Sequence, residues 1–283
     1  MKTISTIQEF RKWRKGISGS IGFVPTMGAL HDGHLSLVEE SIKTCQNTIL
    51  SIYLNPTQFS PEEDLDEYPK TVESDLKKLS HFQVDCVFLP NDSEIYPKGF
   101  SIQVQEKILS RILEGESRPD FFTGVITVVA KLFNIIEPTH TFFGKKDAQQ
   151  LRIIEKLITD LNYPIEIISS PIIREENGLA MSSRNEYLNN AERIIAAIIQ
   201  QALQEGKNLI ISGERNSKII RDKIIHTINP EKLLRIDYVS VADSNTLIEI
   251  SDKIEGDILV SVALCLGETR LIDNFSYSVS SSR

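Results

Sequence analysis

Apolar positions along the chain follow two alternating rhythms. Ile21, Phe23 and Val24 form a short β-favouring run before Pro25, which predicts a buried strand stopping at a turn. Leu35, Val38, Ile42 and Cys45 then recur at helical spacing with Glu39, Glu40 and Lys43 between them, which predicts an amphipathic helix. Residues 48–54 return to a β-rich run that ends at Asn55-Pro56, giving strand, helix, strand with a right-handed crossover expected. The alternation continues with a helix over 72–79, a strand over 85–89, a helix over 124–136 and a strand over 139–143. Leu151, Ile154, Leu157, Ile158 and Leu161 mark the apolar stripe of the next helix, and 165–168 the next strand. Such a sequence predicts an α/β fold, a doubly wound, Rossmann-like parallel sheet over residues 1–175. The rhythm changes at the turn Glu175-Glu176-Asn177-Gly178. Helices over 191–209 and 217–226 and strands over 234–241 and 258–264 predict a smaller α+β C-terminal domain over 176–283, with the polar tail SVSSSR frayed.

Composition narrows the class without naming an activity. The 283 residues, 41% hydrophobic and 25% charged, suit a globular protein of two domains. A formal net charge of −8 lacks the basic footprint of a general nucleic-acid binder, so no nucleic acid is expected as a partner and an anionic substrate needs a locally basic pocket. Three cysteines, Cys45, Cys86 and Cys265, lie far apart in apolar patterns, which predicts buried free thiols and a reducing cytoplasm. The opening segment MKTISTIQEFRKWRKG has no apolar core of signal-peptide length and no run reaches membrane-spanning length, so no membrane association is expected.

The most informative stretch is PTMGALHDGH, residues 25–34, at the predicted strand-to-helix junction. Helix-start N–H groups and the positive end of the helix dipole favour phosphate oxygens. Gly28 and Gly33 permit close backbone approach, and His31 and His34, three residues apart, can point into one space and offer N–H donors to a polyphosphate. A histidine near a helix start is more often a surface residue, and a glycine there is often simple turn chemistry. Here these features coincide within ten residues. Paired histidines could also ligate zinc, but no cysteine or third histidine lies at ligand-like spacing, and zinc ranks below nucleotide phosphate.

Gly144-Lys145-Lys146-Asp147 repeats that logic at a second strand-to-helix junction, where Asp147 can cap the helix or bind Mg²⁺. By itself it is better read as a capped helix with solvated lysines. Met181-Ser182-Ser183-Arg184-Asn185 gathers hydroxyls and a guanidinium suited to phosphate, again a common loop composition when taken alone. Gln58, just past a strand end, and Gln149 and Gln150, opening the helix after GKKD, would face the crevice outside the carboxyl ends of the strands.

Taken together, PTMGALHDGH, YLNPTQF, EDLDEYPKT, EGESRPDFFTGV, FFGKKDAQQL and MSSRN stand in the order and approximate spacing of the pantothenate synthetase family, and the resemblance reaches GETRLIDN at 267–274. HxGH alone marks a wider nucleotidyltransferase superfamily, so another HxGH nucleotidylyltransferase is the alternative, and a catalytically inert nucleotide sensor a further rival. The resemblance implies an ATP-dependent ligase that joins pantoate to β-alanine through a pantoyl-adenylate. It places Met27, Gly28, Ala29, Leu30, His31, Asp32, Gly33 and His34 along ATP, with His34 the catalytic histidine and His31 its partner on the phosphates. Gly144, Lys145, Lys146, Asp147, Met181, Ser182, Ser183 and Arg184 would complete the nucleotide pocket, with Ile173 near the adenine or ribose; Lys146, Ser182, Ser183 and Arg184 are cast with the histidines as transition-state stabilisers. Gln58 and Gln150 would hold pantoate, Gln58 also lying near β-alanine. A cytoplasmic homodimer needing Mg²⁺, approached by Asp147 or Asp75, and a smaller domain acting as a lid are further implications. Four positions depart from the common pattern: Lys145 for an acid, Ala148 for an aromatic residue, Thr57 for methionine and Phe121 for histidine.

Overall fold

The computed structural model describes residues 1–61 and 63–279. In chain order the elements are β1 (Lys2–Ile4), α1 (Ile7–Arg14), β2 (Ile21–Thr26), α2 (Asp32–Thr44), β3 (Asn47–Ile52), α3 (Val72–Leu79), β4 (Cys86–Phe88), α4 (Asp92–Ile95), α5 (Glu114–Ser117), α6 (Phe121–Ile136), β5 (His140–Gly144), α7 (Ala148–Asp160) and β6 (Glu166–Ser170). There follow α8 (Asn190–Ala196), α9 (Ile198–Ile211), α10 (Ser217–Ile228), β7 (Leu234–Asp243), β8 (Gly256–Leu266) and β9 (Thr269–Val279). Two compact units emerge. The first holds Met1–Arg111, Gly115–Lys145 and Gln150–Pro171; the second holds Ile112–Glu114, Lys146–Gln149 and the chain from Ile172 onward.

The first unit is built on a six-stranded sheet in the order β1-β4-β3-β2-β5-β6, parallel throughout. Its strands read as near-continuous apolar runs because helices cover both faces; Ile21, Phe23, Val24, Ile49 and Leu50 are wholly buried. The order reverses at β2: the chain steps outward through β3 to β4, then returns to place β5 on the other side of β2. Pairing between β2 and β5 covers only Gly22↔His140 and Phe23↔Thr141, although β2 runs on to Thr26 and β5 to Gly144. A crevice therefore opens between their carboxyl ends, the place where doubly wound sheets bind ligands.

Pro25 sits inside β2 rather than ending it. Ile21 O accepts from Thr139 N and Thr26 O accepts from Tyr53 N, so odd positions of β2 face β5 and even ones face β3. The missing N–H of Pro25 thus falls on the β5 side, beyond the last pair, where it costs no ladder bond.

The second unit is a three-stranded antiparallel sheet, β7-β8-β9, with α8, α9 and α10. Ala196, Ile199, Leu203, Ile220, Ile224, Ile258, Val260 and Leu264 belong to its own core. The helix expected over 191–209 is two: it breaks at Ala197, where the bridging bonds Ala197 N to Arg193 O and Gln201 N to Ala197 O lengthen to 3.3 and 3.4 Å. β9 departs from the expectation of two strands, and β1 and α1 are additional elements of the first unit. In α7 the buried stripe includes Ile153, while Leu161 lies past the helix and is half exposed. Ser278 and Val279 of the tail expected to fray belong to β9, and 280–283 lie outside the described residues. Cys45 and Cys86 are buried free thiols, and burial pushes Cys86 up to about 12, whereas Cys265 is only partly buried.

Candidate active site

The junction between β2 and α2 begins with the imidazoles. His31 is the N-cap of α2 in extended backbone, and its Nδ1 accepts the Gly33 N–H at 3.1 Å. His34, at the third helical position, returns the contact by accepting the His31 N–H on its own Nδ1 at 3.4 Å. This is a capping box in which histidines take the usual serine and glutamate places. It has a chemical consequence. A nitrogen that accepts a backbone N–H carries no proton, so each neutral ring keeps its proton on Nε2. The rings lie 4.1 Å apart between centroids and 34° from parallel, which directs two imidazoles as one pair. The helix-start N–H groups of His31 and Gly33 are engaged by these side chains, so those two amides are committed to the cap.

The loop leading into the pair is held under backbone strain. Gly28 has φ +91° and Ala29 has φ +50°, the left-handed region that a residue with a Cβ adopts at a cost. Consecutive N–H groups turned inward this way form a concavity for an anion. Here the anion is internal: Asp75, wholly buried on α3, accepts from Ala29 N on Oδ2 at 2.9 Å and from Leu30 N on Oδ1 at 2.8 Å. Thr71 Oγ1 donates a third bond to Oδ2 at 3.2 Å, and Lys78 on the same helix donates to Leu30 O. A Cβ on Gly28 would stand 3.1 Å from Ile52 Cγ2 and 3.3 Å from Asp75 Oδ2, so a side chain there would be strained in φ and tightly crowded. Asp75 is thereby committed to shaping this loop.

Gln58 follows β3 in a 3-10 turn, Pro56–Gln58. It is buried, and its amide is oriented on both sides: Asn55 Nδ2 donates to Gln58 Oε1 at 3.0 Å, while Gln58 Nε2 lies 2.9 Å from Met27 Sδ. The oxygen is thus fixed towards Asn55 and the NH₂ is the end that faces Met27, with only a weak sulfur acceptor there. Asn55 is in turn fixed by Tyr96 Oη at 2.8 Å and Thr57 Oγ1 at 3.0 Å on its Oδ1, so Thr57 supplies a hydrogen bond where the family pattern has methionine. Arg118 embraces Glu63 with two bonds, Nε to Oε1 at 2.6 Å and Nη2 to Oε2 at 2.8 Å, and its guanidinium carbon stands 3.7 Å over the Phe121 ring. Phe121 therefore replaces the family's histidine with a cation–π contact.

Gly124 on α6 touches this turn backbone to backbone. A Cβ there would lie 2.2 Å from Thr57 O and 2.7 Å from Gln58 N. Gly124→Ala should therefore push Gln58 out of register and raise the KM of whatever ligand it holds about tenfold, the effect of one displaced hydrogen bond of about 1.4 kcal/mol. Initial-rate kinetics over that ligand's concentration check this, with an unchanged KM as the contrary result.

Gly144 ends β5, beside β2, and Lys145 is exposed. Gln150 is partly buried at the start of α7 in the first unit, but Gln149 differs from expectation: it is buried, accepts from Glu114 N at 3.0 Å and donates to Ile112 O at 2.6 Å, a structural role. The carboxyl ends of the three adjacent strands β3, β2 and β5 thus carry Gln58, the Met27–His34 loop and Gly144.

The second unit carries the other expected residues. Lys146 is largely buried, its Nζ 3.4 Å from Asp147 Oδ1, and Asp147 is about half exposed. Met181 N donates to Ile173 O at 2.9 Å, which sets Ile173 beside the MSSRN turn. Ser182 caps that turn by accepting from Arg184 N at 3.3 Å, and Ser183 is buried. Asn55, Asp75, Arg118, Asp273 and Asn274 are further organising residues.

Residues 1–276 match the family model described as pantoate-beta-alanine ligase. A pantothenate synthetase of Clostridium botulinum (strain 657 / Type Ba4) is 48% identical over 99% of this chain and 100% of its own length, and one of Acetivibrio thermocellus is 49% identical over 97% of each. The crystal structure of pantothenate synthetase from Thermus thermophilus superposes with a TM-score of 0.92 at 39% identity, covering 97% of this chain and 99% of that one. The pantoate-beta-alanine ligase of Francisella tularensis, complexed with beta-gamma ATP and beta-alanine, superposes with a TM-score of 0.80 at 34% identity over 97% of each chain. A strand-to-helix imidazole pair, an oriented glutamine and end-to-end likeness converge on one conclusion: the chain belongs to the pantoate-beta-alanine ligase family.

Proposed function

We propose that the protein condenses pantoate with β-alanine at the expense of ATP, through a pantoyl-adenylate, releasing AMP and pyrophosphate. The observation that carries this reading is the paired imidazoles of His31 and His34, stacked 4.1 Å apart with each Nδ1 engaged by backbone, on the loop that follows β2 where its pairing with β5 has ended. In the first step the pantoate carboxylate attacks the α-phosphorus and pyrophosphate leaves. Charge grows on the phosphoryl oxygens, where preorganised Nε2–H donors stabilise it most. No covalent enzyme intermediate is needed; orientation and electrostatics carry the step.

Gln58, with its NH₂ beside Met27 Sδ, suits the hydroxyl and carboxylate oxygens of pantoate, and Gln150 is its expected partner on that substrate. Met27–His34 and Gly144–Asp147 would line ATP, with Ile173 and Met181–Arg184 contributing as the family resemblance implies. Lys146, Ser182, Ser183 and Arg184 would share the phosphoryl charge. In the second step the β-alanine amine attacks the activated carbonyl, and AMP departs with the oxygen that joined it to the acyl group.

A divalent cation fits this site only in company with substrate. Among the described residues no group of three or more His, Cys, Asp or Glu is placed to hold a metal. Mg²⁺ commonly keeps its waters and binds through one or two carboxylates plus substrate phosphates. Asp147, about half exposed, is the carboxylate we assign to it, since Asp75 already accepts three internal bonds. Mg²⁺ would neutralise phosphate charge there. A homodimer in the cytoplasm is carried over as part of the same proposal.

Incubation with ATP, pantoate and β-alanine should yield AMP and pyrophosphate in equal amounts, both dependent on pantoate. Lys146→Ala should cut this turnover by about tenfold or more, as expected when a charge-bearing donor is removed from a transferring phosphoryl group. Products that retain the nucleotide on an acceptor would instead support a nucleotidylyltransferase.

A further inference from the structure

Strand β9 carries a buried polar pair where an inward-facing strand would ordinarily place apolar residues. Asp273 and Asn274 are 3% and 5% exposed. Both reach segments to which the proposed function assigns the nucleotide. Asn274 Nδ2 donates to the carbonyl of Lys146 at 2.7 Å. Asp273 takes Arg174 in a two-bond clasp, Nη1 to Oδ2 at 2.6 Å and Nη2 to Oδ1 at 2.9 Å. Arg174 Nη1 also donates to Gly178 O at 3.0 Å, closing the turn that links Ile173 to Met181. Asp273 Oδ1 additionally accepts from Asn274 N at 2.7 Å, so the two side chains are coupled to each other.

A third anchor lies earlier on the same strand. Arg270 grips Glu114 through Nη2 to Oε1 at 2.7 Å and Nε to Oε2 at 3.1 Å, with Asp237 bonded to the same guanidinium at 2.7 Å. Burial would lower the Arg270 pKa, but the carboxylates of Glu114 and Asp237 outweigh it and hold the charge firmly. Tyr238 Oη completes the cluster by donating to Glu114 Oε1 at 3.1 Å. Glu114 is itself the residue whose N–H binds Gln149, three positions after Lys146. The segment Lys146–Gln149 is therefore pinned at its first residue by Asn274 and at its last by the Glu114–Arg270 pair, from a single strand.

We propose that Asn274 is a positioning residue for ATP use: it acts through the Lys146 backbone to set the lysine on the phosphates, while Asp273 sets the Ile173–Met181 turn. The inference rests on the ligase reading. Directional hydrogen bonds from a rigid β-strand fix position more tightly than a loop can, and a shift of about 1 Å at a reacting group can cost about 10²-fold in rate. A buried asparagine costs the strand an apolar contact, which a purely structural strand would not require.

The test compares wild type with Asn274→Ala and Asn274→Asp, the second keeping side-chain shape but presenting an acceptor to the Lys146 carbonyl. Wild-type pantoate-dependent ATP–pyrophosphate exchange comes first, since its absence defeats the ligase reading rather than this one. Given exchange, both variants should lose it by about tenfold or more, with a raised KM for ATP, an unchanged KM for pantoate and an unchanged rate of β-alanine attack on supplied pantoyl-adenylate. In a Lys146→Ala background, Asn274→Ala should add little, because the two act as one unit. Equal loss in both half-reactions, unaltered exchange, full additivity with Lys146→Ala, or failure of both variants to fold would each overturn the proposal.

Discussion

His34→Ala is expected to slow pantoate-dependent pyrophosphate release by about 10²- to 10³-fold, the range seen on removing one preorganised transition-state donor. The substitution removes two things at once: the Nε2–H and the Nδ1 that accepts the His31 N–H. Loss of the cap alone costs about 1 kcal/mol of stability, far too little to unfold a protein of this size. His34→Asn separates the two effects, because the asparagine Oδ1 can take the place of Nδ1 while nothing replaces Nε2–H. The asparagine variant should melt close to wild type and be as slow as the alanine variant. Chemical quench of the first turnover checks both; full release in either would remove His34 from the chemistry.

Asp75→Asn is expected to be nearly as damaging, from a residue that touches no substrate. Its two carboxylate oxygens accept from Ala29 N and Leu30 N and hold the chain in left-handed backbone at Gly28 and Ala29. An amide turns one acceptor into a donor that confronts a backbone N–H, leaving a buried group unsatisfied at a cost of about 1–3 kcal/mol. The loop then relaxes, and the imidazole pair moves with it. Adenylate formation should fall by about 10²-fold while the folded fraction stays high, since such a loss of stability is smaller than the several kcal/mol of a typical domain. Thermal melting run beside the exchange assay distinguishes the two, and a wild-type exchange rate in a destabilised variant would refute the positioning role.

Much of the first unit was legible in the apolar rhythm because a parallel sheet covered on both faces writes its strands as apolar runs and its helices as stripes. The HxGH loop was legible because glycines and histidines at a strand-to-helix junction have few other uses. What escaped was the polar support. Asp75 lies four residues before Leu79, on the buried side of α3, and a carboxylate on an apolar face was the available signal. β9 was obscured by Asp273 and Asn274, whose buried polarity breaks the alternation expected of a strand. Gln149 and Gln150 look alike in sequence, and only the three-dimensional path of Ile112–Glu114 assigns the first to structure. These residues hold others in place, and a partner distant in sequence leaves no local pattern.

The central claim is that the pantoate carboxylate becomes bonded to the α-phosphorus of ATP. Pantoate carrying heavy oxygen in its carboxylate tests it directly. With ATP and β-alanine present, one labelled oxygen should appear in each AMP released and none in pyrophosphate, because the amine breaks the bond between the acyl carbon and that oxygen. Label in inorganic phosphate with ADP as the nucleotide product, or AMP without label, would contradict the adenylate route.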